Sequence, residues 1–466
     1  MWIETRNLPC GRIERSGALN RRELLTRAGA GFGALALAGL LQRDGLLAQE
    51  RAVPKAKAVI WLYMEGGPSA VDLFDSKPEL TKYDGKQPPS KIETFFGRPG
   101  PLMKSPFTFK QYGESGAWVC DRYQKMAAHV DDIAFIKSCW AESSNHTPAM
   151  YQMNTGQIRP GFPSAGAWIT YGLGSENQNL PGFVVLPTPN GCKGGPINWG
   201  SGFLPSGYQG TTLRSGPAPI LNLDPQPDVS RERERRMLDL AADWNRAHAE
   251  QRAGESDLLA RIQSYELAFR MQSEAKEAVD LSKEPDSIRR LYGLESEVTR
   301  PFGEKCLLAR RMVERGVRFV QVYPNYEWDA HSKLYDNHGK RCEETDQPIA
   351  ALLADLKSRS LLASTLVIWG GEFGRMPVSE SNQGRDHNPQ GFLTWMAGGG
   401  VKGGVSYGAT DEIGHKAVEQ RVSVHDLHAT ILHQLGVDHT RLTYLHNGRQ
   451  YRLTDVSGEV LKKILI

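Results

Sequence analysis

Six acidic residues and histidines lie at the ends of predicted strands or in the loops beside them. They are Glu65, Asp329, His331, Glu372, Asp386 and His387. Carboxylate and imidazole groups are ligands for divalent ions such as zinc, manganese, calcium or magnesium. Each residue taken alone could equally cap a turn or lie on the surface. Their shared position predicts one metal-binding crevice, because the carboxyl ends of parallel strands meet at the same edge of a sheet.

Three more residues could contact a negatively charged ligand in that crevice. Arg375 and Arg385 flank the acidic residues, and a guanidinium group can hold an oxyanion through two parallel hydrogen bonds. The alternative is that both arginines neutralise neighbouring carboxylates. Ser69 ends a Gly-Gly-Pro-Ser turn, where its hydroxyl or a backbone amide could bind an anion. A plain turn role is the alternative for this serine.

The elements that must position these residues are apolar runs separated by glycine-rich turns and helical segments. Predicted strands cover Ala56–Met64, Asp132–Ile136, Pro181–Leu186, Val317–Tyr323, Thr365–Trp369 and Phe392–Met396. Predicted helices cover Pro348–Leu356 and Val424–Leu435, and residues from about 225 to 316 show helical spacing and few glycines. This alternation predicts an α/β fold, with a central mostly parallel sheet covered by helices on both faces. The helical stretch is expected to be partly an insertion.

Composition and charge exclude several classes of protein. The chain has 466 residues, of which 40% are hydrophobic and 23% are charged, so wholesale disorder and collagen-like repeats are excluded. Lys and Arg total 56 against 53 Asp and Glu, which leaves a formal charge of +3. This near balance offers no basic surface for nucleic acid, and we expect no nucleic-acid partner.

The N-terminal residues have the features of an export signal. Arg21 and Arg22 precede an uncharged run over Ala28–Leu41, which is shorter than the roughly 20 residues of a membrane span. This pattern predicts a twin-arginine signal peptide over residues 1–48 and a mature domain over 49–466, with an uncleaved anchor as the alternative. The expected partner is the twin-arginine translocation machinery. The expected location is periplasmic or otherwise extracytoplasmic, with no stable membrane span after cleavage.

Five cysteines follow the predicted signal: Cys120, Cys139, Cys192, Cys306 and Cys342. Their odd number leaves at least one thiol unpaired within a monomer, and the absence of a C-x-x-C motif argues against a zinc ribbon or a thioredoxin-type site. We expect most of them to be small buried apolar side chains, with one disulfide as the alternative.

Longer motifs resemble a known group of proteins. They are residues 66–78 (GGPSAVDLFDSKP), 145–156 (NHTPAMYQMNTG), 163–186 (PSAGAWITYGLGSENQNLPGFVVL), 370–377 (GGEFGRMP), 384–389 (GRDHNP) and 424–444 (VHDLHATILHQLGVDHTRLTY). On these segments the chain resembles a twin-arginine-exported, sulfatase-like family of the alkaline phosphatase superfamily. The resemblance covers essentially all of the mature chain. It implies an alkaline phosphatase-like three-layer α/β sandwich and a divalent metal ion as cofactor.

The same resemblance implies a metal-dependent hydrolase of sulfate or phosphate esters, acting on an anionic ester substrate such as a sulfated glycan. However, His146 stands at the nucleophile position and Met150 at the arginine position of the sulfatase motif C-x-P-x-R. No C-x-P-x-R or S-x-P-x-R occurs in the chain, which excludes formylglycine chemistry. In the superfamily motif S-D-H-G, Glu372 keeps the acid while Phe373 replaces the histidine, and Glu65-Gly66 stands in place of an aspartate pair.

These departures leave two interpretations open. On the catalytic one, His146 is a nucleophile, a general base or a third imidazole ligand at the start of a helix, whose N-terminus favours a neutral ring. Asn145 is then a candidate for substrate binding, although Asn145 and His146 could merely cap the helix. On the other interpretation, the protein is a non-catalytic relative that binds an anionic glycan or a protein partner. Loss of the nucleophile favours this second interpretation, whereas retention of the acids and histidines favours catalysis.

Overall fold

A nine-stranded mixed sheet forms the centre of the protein. The computed structural model describes residues 53–89, 91–96, 98–214, 216, 219–220, 229–250 and 256–466. The strands of the protein are β1 (Ala58–Tyr63), β2 (Phe109–Tyr112), β3 (Ala117–Cys120), β4 (Ile133–Trp140), β5 (Phe183–Leu186), β6 (Thr211–Thr212), β7 (Phe319–Val322), β8 (Thr365–Gly370), β9 (Gly374–Arg375), β10 (His387–Asn388), β11 (Phe392–Ala397), β12 (Val405–Tyr407), β13 (Ala409–Thr410), β14 (Ala417–Glu419), β15 (Val422–Ser423), β16 (Tyr444–His446) and β17 (Arg449–Tyr451). The helices are α1 (Ala70–Leu73), α2 (Pro78–Lys82), α3 (His146–Thr155), α4 (Ala165–Leu173), α5 (Arg231–Glu250), α6 (Ser256–Val279), α7 (Asp286–Leu291), α8 (Arg300–Glu314), α9 (Leu334–Ser358) and α10 (Val424–Gln434).

The central sheet is mostly parallel. Its strand order is β12-β4-β11-β8-β1-β7-β5-β6, and β15 also pairs with β4. Among the described pairings of this sheet, only those of β11 with β4 and with β8 are antiparallel. Helices connect most of the parallel strands, as crossover connections require. The predicted α/β class with a central, mostly parallel sheet is therefore confirmed.

Strand β1 lies between β8 and β7, and the three strands end together. Leu62 pairs with Val322 of β7, and Tyr63 pairs with Gly370 of β8. All three strands run in the same direction, so the loops that follow them leave from one edge of the sheet. This shared edge is what brings residues far apart in the sequence into one crevice.

Helices cover both faces of the sheet. Successive side chains of β1 point to opposite faces, as strand geometry requires. Ile60 and Leu62 belong to an apolar cluster with side chains of α8 and α9. Val59 and Trp61 belong to a second cluster with side chains of α3, α4 and α10. Both faces of β1 are thus buried, which explains its continuous apolar sequence.

The segment with helical spacing forms α5, α6, α7 and α8, and α7 begins directly after Pro285. The last of these helices is part of the layer that covers the sheet, because Phe302 and Leu307 of α8 lie in the same apolar cluster as Ile60. Among the described side chains of α5 and of the first half of α6, few are both apolar and buried.

Two predicted elements differ from the structure by more than two residues at one end. Helix α9 begins at Leu334, and Pro348 lies inside it rather than at its start. Proline favours a first turn because it has no amide hydrogen to donate, but a long helix packed on the core can accommodate it internally. Strand β4 starts at Ile133, because Met126–Asp132 form a 3-10 helix, and it continues to Trp140.

The predicted signal peptide over residues 1–48 lies outside the described residues. Within the described part of the chain, no helix combines the length and the apolar character needed to cross a membrane. Cys120, Cys139, Cys192, Cys306 and Cys342 are all buried and all carry free thiols. Their prediction as small buried side chains is confirmed, and the alternative of a disulfide is wrong for this structure.

Candidate metal centre

The loops after β1, β7 and β8 meet around the carboxylate of Asp329. Gly66, in the loop after β1, lies so close that a Cβ atom there would be 2.6 Å from Asp329 N. Its φ of +105° is in the region that favours glycine. Gly66 N also donates to Glu372 Oε1, in the loop after β8, at 2.9 Å. A bare glycine backbone therefore lets the three loops pack directly against one another.

Three histidines surround Asp329. His146 Nε2 lies 3.1 Å from Asp329 Oδ2. His331 Nε2 and His387 Nε2 lie 3.1 Å and 3.4 Å from Asp329 Oδ1. His146 is the first residue of α3, and His387 lies in β10, which pairs with β9. Both of these histidines are buried, whereas His331 is partly exposed. The group therefore has one side open to solvent.

The other nitrogen of each ring faces a hydrogen-bond acceptor. His146 Nδ1 lies 2.6 Å from Glu372 Oε1, and His331 Nδ1 lies 2.7 Å from Glu380 Oε2. His387 Nδ1 lies 2.6 Å from the Ser144 carbonyl oxygen. Each Nδ1 is therefore the protonated donor, and in a neutral ring the lone pair is on Nε2. Metal-binding histidines commonly show this arrangement, in which the second nitrogen is held by a carboxylate or carbonyl.

The converging Nε2 atoms fit a bound cation. His331 Nε2 and His387 Nε2 lie only 2.8 Å apart, and two lone pairs at that distance repel each other unless a proton or metal ion lies between them. His146 Nε2 is buried and makes no well-directed hydrogen bond. Among the residues that the structure describes, two groups of side chains offer ligand atoms within 4.8 Å of one another: His146, Asp329 and His387, and His331, Asp386 and His387. The donor set thus suits a divalent metal ion, and His387 belongs to both groups.

Charge and burial act in opposite directions on these groups. Burial alone would raise the pKa of Asp329, but contact with the three imidazoles in their protonated form and the charge of Arg375 hold that pKa well below its ordinary value. Burial lowers the pKa of His387. It would also lower the pKa of His146, but the carboxylates of Asp329 and Glu372 outweigh it and raise that pKa. These carboxylates therefore oppose the helix N-terminus, which favours a neutral His146 ring.

Two of the six predicted metal ligands lie beside the groups rather than in them. Glu372 is fully buried, and its Oε1 accepts hydrogen bonds from Gly66 N and from His146, so it positions the histidine. Glu65 is also buried, and its Oε1 accepts a hydrogen bond from Lys193 N at 2.7 Å. Burial raises the pKa of Glu65 to about 8. The structure places Asp329, His331, Asp386 and His387 in the two groups, together with His146.

Neither predicted anion-binding arginine faces the open side of the centre. Arg385 is fully buried, and its Nε and Nη2 donate to the carboxylate of Asp72 at 2.8 Å and 3.0 Å. Arg375 is also buried and donates to Asp329 Oδ1 at 2.6 Å and to backbone carbonyls of Gly66 and Gly67. Both contacts match the alternative prediction, in which the arginines neutralise neighbouring carboxylates.

The predicted substrate-binding residues have local partners as well. Ser69 is fully buried, its hydroxyl donates to Asp72, and its backbone amide donates to His338 Nε2 at 3.0 Å. Asn145 is the N-cap of α3, and its Oδ1 accepts a hydrogen bond from Thr147 N at 3.2 Å. Ser69 therefore belongs to a buried polar network with Asp72 and His338. Asn145 has the capping role given above as the alternative.

Sequence reasoning missed several residues that complete the centre. Glu380 holds His331, and Lys193 Nζ lies 3.3 Å from Asp329 Oδ2 with its side chain 30% exposed. The Phe95 ring stacks on His387 at 5.5 Å, and the Phe96 ring meets His331 edge-on at 5.0 Å. Glu380 and Lys193 lie 49 and 136 residues from their partners, so no local spacing could have linked them to the histidines.

Comparisons with known proteins bear on fold and family. Solved structures with some similarity include a sulfatase from Pseudoalteromonas sp. (12% identity, 90% of this chain and 76% of that chain, TM-score 0.33). Others are a phosphonate monoester hydrolase from Silicibacter pomeroyi (12% identity, 74% and 71%, TM-score 0.37) and alkaline phosphatase from the Antarctic bacterium TAB5 (12% identity, 78% and 96%, TM-score 0.33).

No curated protein matches the chain in sequence. A family model does match it, over residues 56–465, and its description is "Protein of unknown function (DUF1501)". That match includes the whole central sheet, the histidines around Asp329 and every residue of the two candidate ligand groups. The chain therefore belongs to the DUF1501 family.

Proposed function

We propose that the protein is a metal-dependent hydrolase of sulfate or phosphate esters. The observation that carries this proposal is the convergence of three Nε2 atoms on Asp329, with every Nδ1 already held by an acceptor. Imidazole-rich sites favour zinc over calcium and magnesium, which prefer oxygen ligands. When bound, such an ion polarises an ester oxygen and lowers the pKa of a water molecule.

The surrounding residues have separate roles in this proposal. Arg375 holds Asp329, Glu372 holds His146 and Glu380 holds His331. These contacts fix the ligand atoms before a substrate arrives, which is what a preorganised site requires. Lys193 is the partly exposed cation beside Asp329, and we assign it to the negative charge of the substrate in place of Arg375 and Arg385.

His146 is better placed as a ligand than as a nucleophile. Its Nε2 points into the group of ligand atoms and its Nδ1 is held by Glu372, and a nitrogen whose lone pair binds a metal cannot also accept a phosphoryl group. Cys192 is close enough to Glu65 to feel its charge, but burial raises the pKa of this thiol to about 12, so it is not a thiolate nucleophile. We therefore infer that water attacks the ester.

The proposal is tested by metal analysis and by activity. His387 belongs to both candidate ligand groups, so we expect His387→Ala to lose the bound zinc of the purified wild type. Activity is screened on an aryl sulfate, a phosphomonoester and a phosphodiester with added divalent ions. We expect the variant to lose about two or more orders of magnitude in rate.

A matched control is His425→Ala. His425 Nε2 bonds to the Gly156 carbonyl oxygen at 2.8 Å and lies in neither ligand group, so this variant should keep both metal and activity. Wild-type protein without stoichiometric metal would contradict the proposal, as would full metal in His387→Ala.

The rival function is a non-catalytic protein that binds an anionic glycan or a protein partner. The feature that favours it is the presence of His146 and Met150 where a sulfatase has its nucleophile and arginine. The two functions separate in the same screen. A protein that binds metal and an anionic ester but turns over none of the three ester classes would be the binder.

We also propose that the protein is exported by the twin-arginine route to the periplasm. The arginine pair Arg21-Arg22 before the uncharged run supports this. That route reads the pair itself, rather than positive charge. The double substitution Arg21→Lys with Arg22→Lys should therefore leave the precursor in the cytoplasm, as cell fractionation would measure. Normal periplasmic yield from this double variant would contradict the proposal.

A further inference from the structure

A cleft of about 430 Å³ opens beside the metal centre. Its lining residues are Phe96, Arg98, Gly100, Ser379, Glu380 and Ser381. Clefts of roughly 300 Å³ or more are of the size that holds small-molecule ligands.

Two of the lining residues also belong to the surroundings of the metal centre. Glu380 Oε2 lies 2.7 Å from His331 Nδ1. The Phe96 ring meets the His331 ring edge-on at 5.0 Å, and Phe96 N donates to Asp386 Oδ2 at 2.8 Å. His331 is the partly exposed histidine of the three. A molecule seated in the cleft therefore lies against the open side of the centre.

The two walls of the cleft are tied together by the backbone. Gly100 N donates to the Ser379 carbonyl oxygen at 3.1 Å, and Ser379 N donates to the Pro101 carbonyl oxygen at 2.8 Å. Leu102 and Val378 form an antiparallel bridge next to them. These contacts tie the chain segment that carries Arg98 to the segment that carries Glu380, so the shape of the cleft is set by paired backbone and not by side chains alone.

The lining combines a cation, an apolar ring, hydroxyl groups and the Glu380 carboxylate, one oxygen of which is held by His331. Arg98 is exposed, and within the described part of the chain its guanidinium makes no ion pair or hydrogen bond. The Phe96 side chain is 48% exposed, so one face of its ring is available to another ring. Ser379 and Ser381 add hydroxyl groups that can donate to or accept from polar substituents.

We propose that this cleft binds the alcohol part of the ester, and that this part is a ring bearing a second acidic group. Arg98 holds the acidic group through charge-assisted hydrogen bonds, and Phe96 packs against the ring. The reacting ester group then lies toward His331 and Lys193. The position of the reacting group in this assignment rests on the proposed function. The roles of Arg98 and Phe96 do not depend on it.

The test uses two matched pairs of phosphate esters. Phenyl phosphate is compared with 4-carboxyphenyl phosphate, and glucose 1-phosphate with glucuronic acid 1-phosphate. Dissociation constants are measured by calorimetry on the full-length, metal-loaded protein, and KM values wherever turnover occurs. We expect the carboxylated member of at least one pair to bind about ten-fold or more tightly than its neutral partner. The pair that shows this preference identifies the ring as an arene or a sugar.

Substitution of Arg98 tests whether the preference for the carboxylated ester arises in the cleft. Arg98→Gln should remove the preference for the carboxylated member and leave binding of the neutral member within about two-fold. Lys91→Gln removes a nearby exposed charge that does not line the cleft, and it should change neither. Equal binding within both pairs overturns the proposal, and so does a preference that survives in Arg98→Gln.

The two proposals fail in different ways. Tight, Arg98-dependent binding without hydrolysis of any of the four esters, of an aryl sulfate or of a phosphodiester supports the proposal for the cleft and contradicts the hydrolase proposal. Hydrolysis with the same KM for both members of each pair supports the hydrolase proposal and contradicts the proposal for the cleft.

Discussion

Two buried clusters of charged residues in this protein differ in how their charges are balanced. On the face covered by α8 and α9, Arg310 lies 2.7 Å from Glu284 and 2.9 Å from Asp355, and Arg311 pairs with the same Glu284. In this Arg310 cluster, which consists of Arg310, Arg311, Glu284 and Asp355, every buried charge has an opposite charge in contact. At the metal centre, by contrast, the lone-pair nitrogens of three histidines face one another and one carboxylate.

The difference separates a structural cluster from a binding cluster. Buried charges are tolerated when they are paired with opposite charges within the protein, which describes the Arg310 cluster. The metal centre is incomplete by the same standard, because carboxylates outnumber permanent cations around it. A divalent cation supplies what the second cluster lacks. Substitutions in the two clusters should therefore affect different measurements.

The largest effect on stability is expected in the Arg310 cluster. Glu284→Gln leaves Arg310 and Arg311 buried with one negative charge fewer, and breaking such a buried pair costs about 3–5 kcal/mol. We expect the free energy of unfolding from urea denaturation to fall by that amount, with metal content unchanged. The control is Glu277→Gln, because the Glu277 side chain is 64% exposed and exposed pairs contribute little. Equal stability of the two variants would show that the Arg310 cluster does not stabilise the fold.

A smaller effect, on metal affinity, is expected from Glu372→Gln. The amide keeps nearly the same volume as the carboxylate, but it weakens the hold on His146 Nδ1. Losing such a supporting contact typically reduces metal affinity by roughly 10- to 100-fold. We expect this loss in competition titrations with a chelator, with little change in the unfolding of metal-free protein. Unchanged zinc affinity would place the metal outside the ligand groups described above.

The smallest effect is expected from Glu65, and it depends on pH. The pKa of this carboxyl is raised from 4.5 in the unfolded chain to about 8 in the folded protein, mainly by burial. The folded protein therefore binds this proton more tightly between pH 4.5 and 8, so the wild type loses stability as the pH rises through that window. Glu65→Gln removes this dependence.

The comparison is made on metal-free protein at pH 6 and pH 8. We expect wild-type stability to fall by roughly 2 kcal/mol relative to Glu65→Gln over this interval, from a slope of about 1.4 kcal/mol per pH unit. Other titrating groups are common to both proteins and cancel in the difference. Parallel pH profiles for the two proteins would mean that Glu65 is ionised at neutral pH.

The sequence predicts the crevice better than the contacts within it. Continuous apolar runs identify β1, β7 and β8, so the meeting of Glu65, Asp329 and Glu372 near one sheet edge follows from parallel-strand geometry. Parallel-strand geometry does not predict the direction in which each side chain points. Arg375 and Arg385 turn inward because Asp329 and Asp72 lie there, and these pairings depend on tertiary packing.

Helix boundaries show the same difference between what local sequence predicts and what tertiary packing decides. Asn145 caps α3 as its residue type allows, and the helix starts at His146. Pro348 is a local signal for a helix start, but packing of α9 on the core overrides it. Local chemistry is therefore reliable where a residue contacts its own neighbours in sequence. It does not predict contacts between residues that are far apart in the sequence, such as the contact of Glu380 with His331.

The rings of Phe95 and Phe96 have a consequence for how fast an ion can enter or leave. They pack on His387 and His331, and His331 is the partly exposed histidine of the three. On the side that these rings cover, a chelator reaches the ligand atoms only after the rings move aside. Along that route, release of a bound ion should be limited by this opening and be independent of chelator concentration. The residence time of an ion that leaves by that route would report the motion of two aromatic side chains rather than the strength of the metal–ligand bonds.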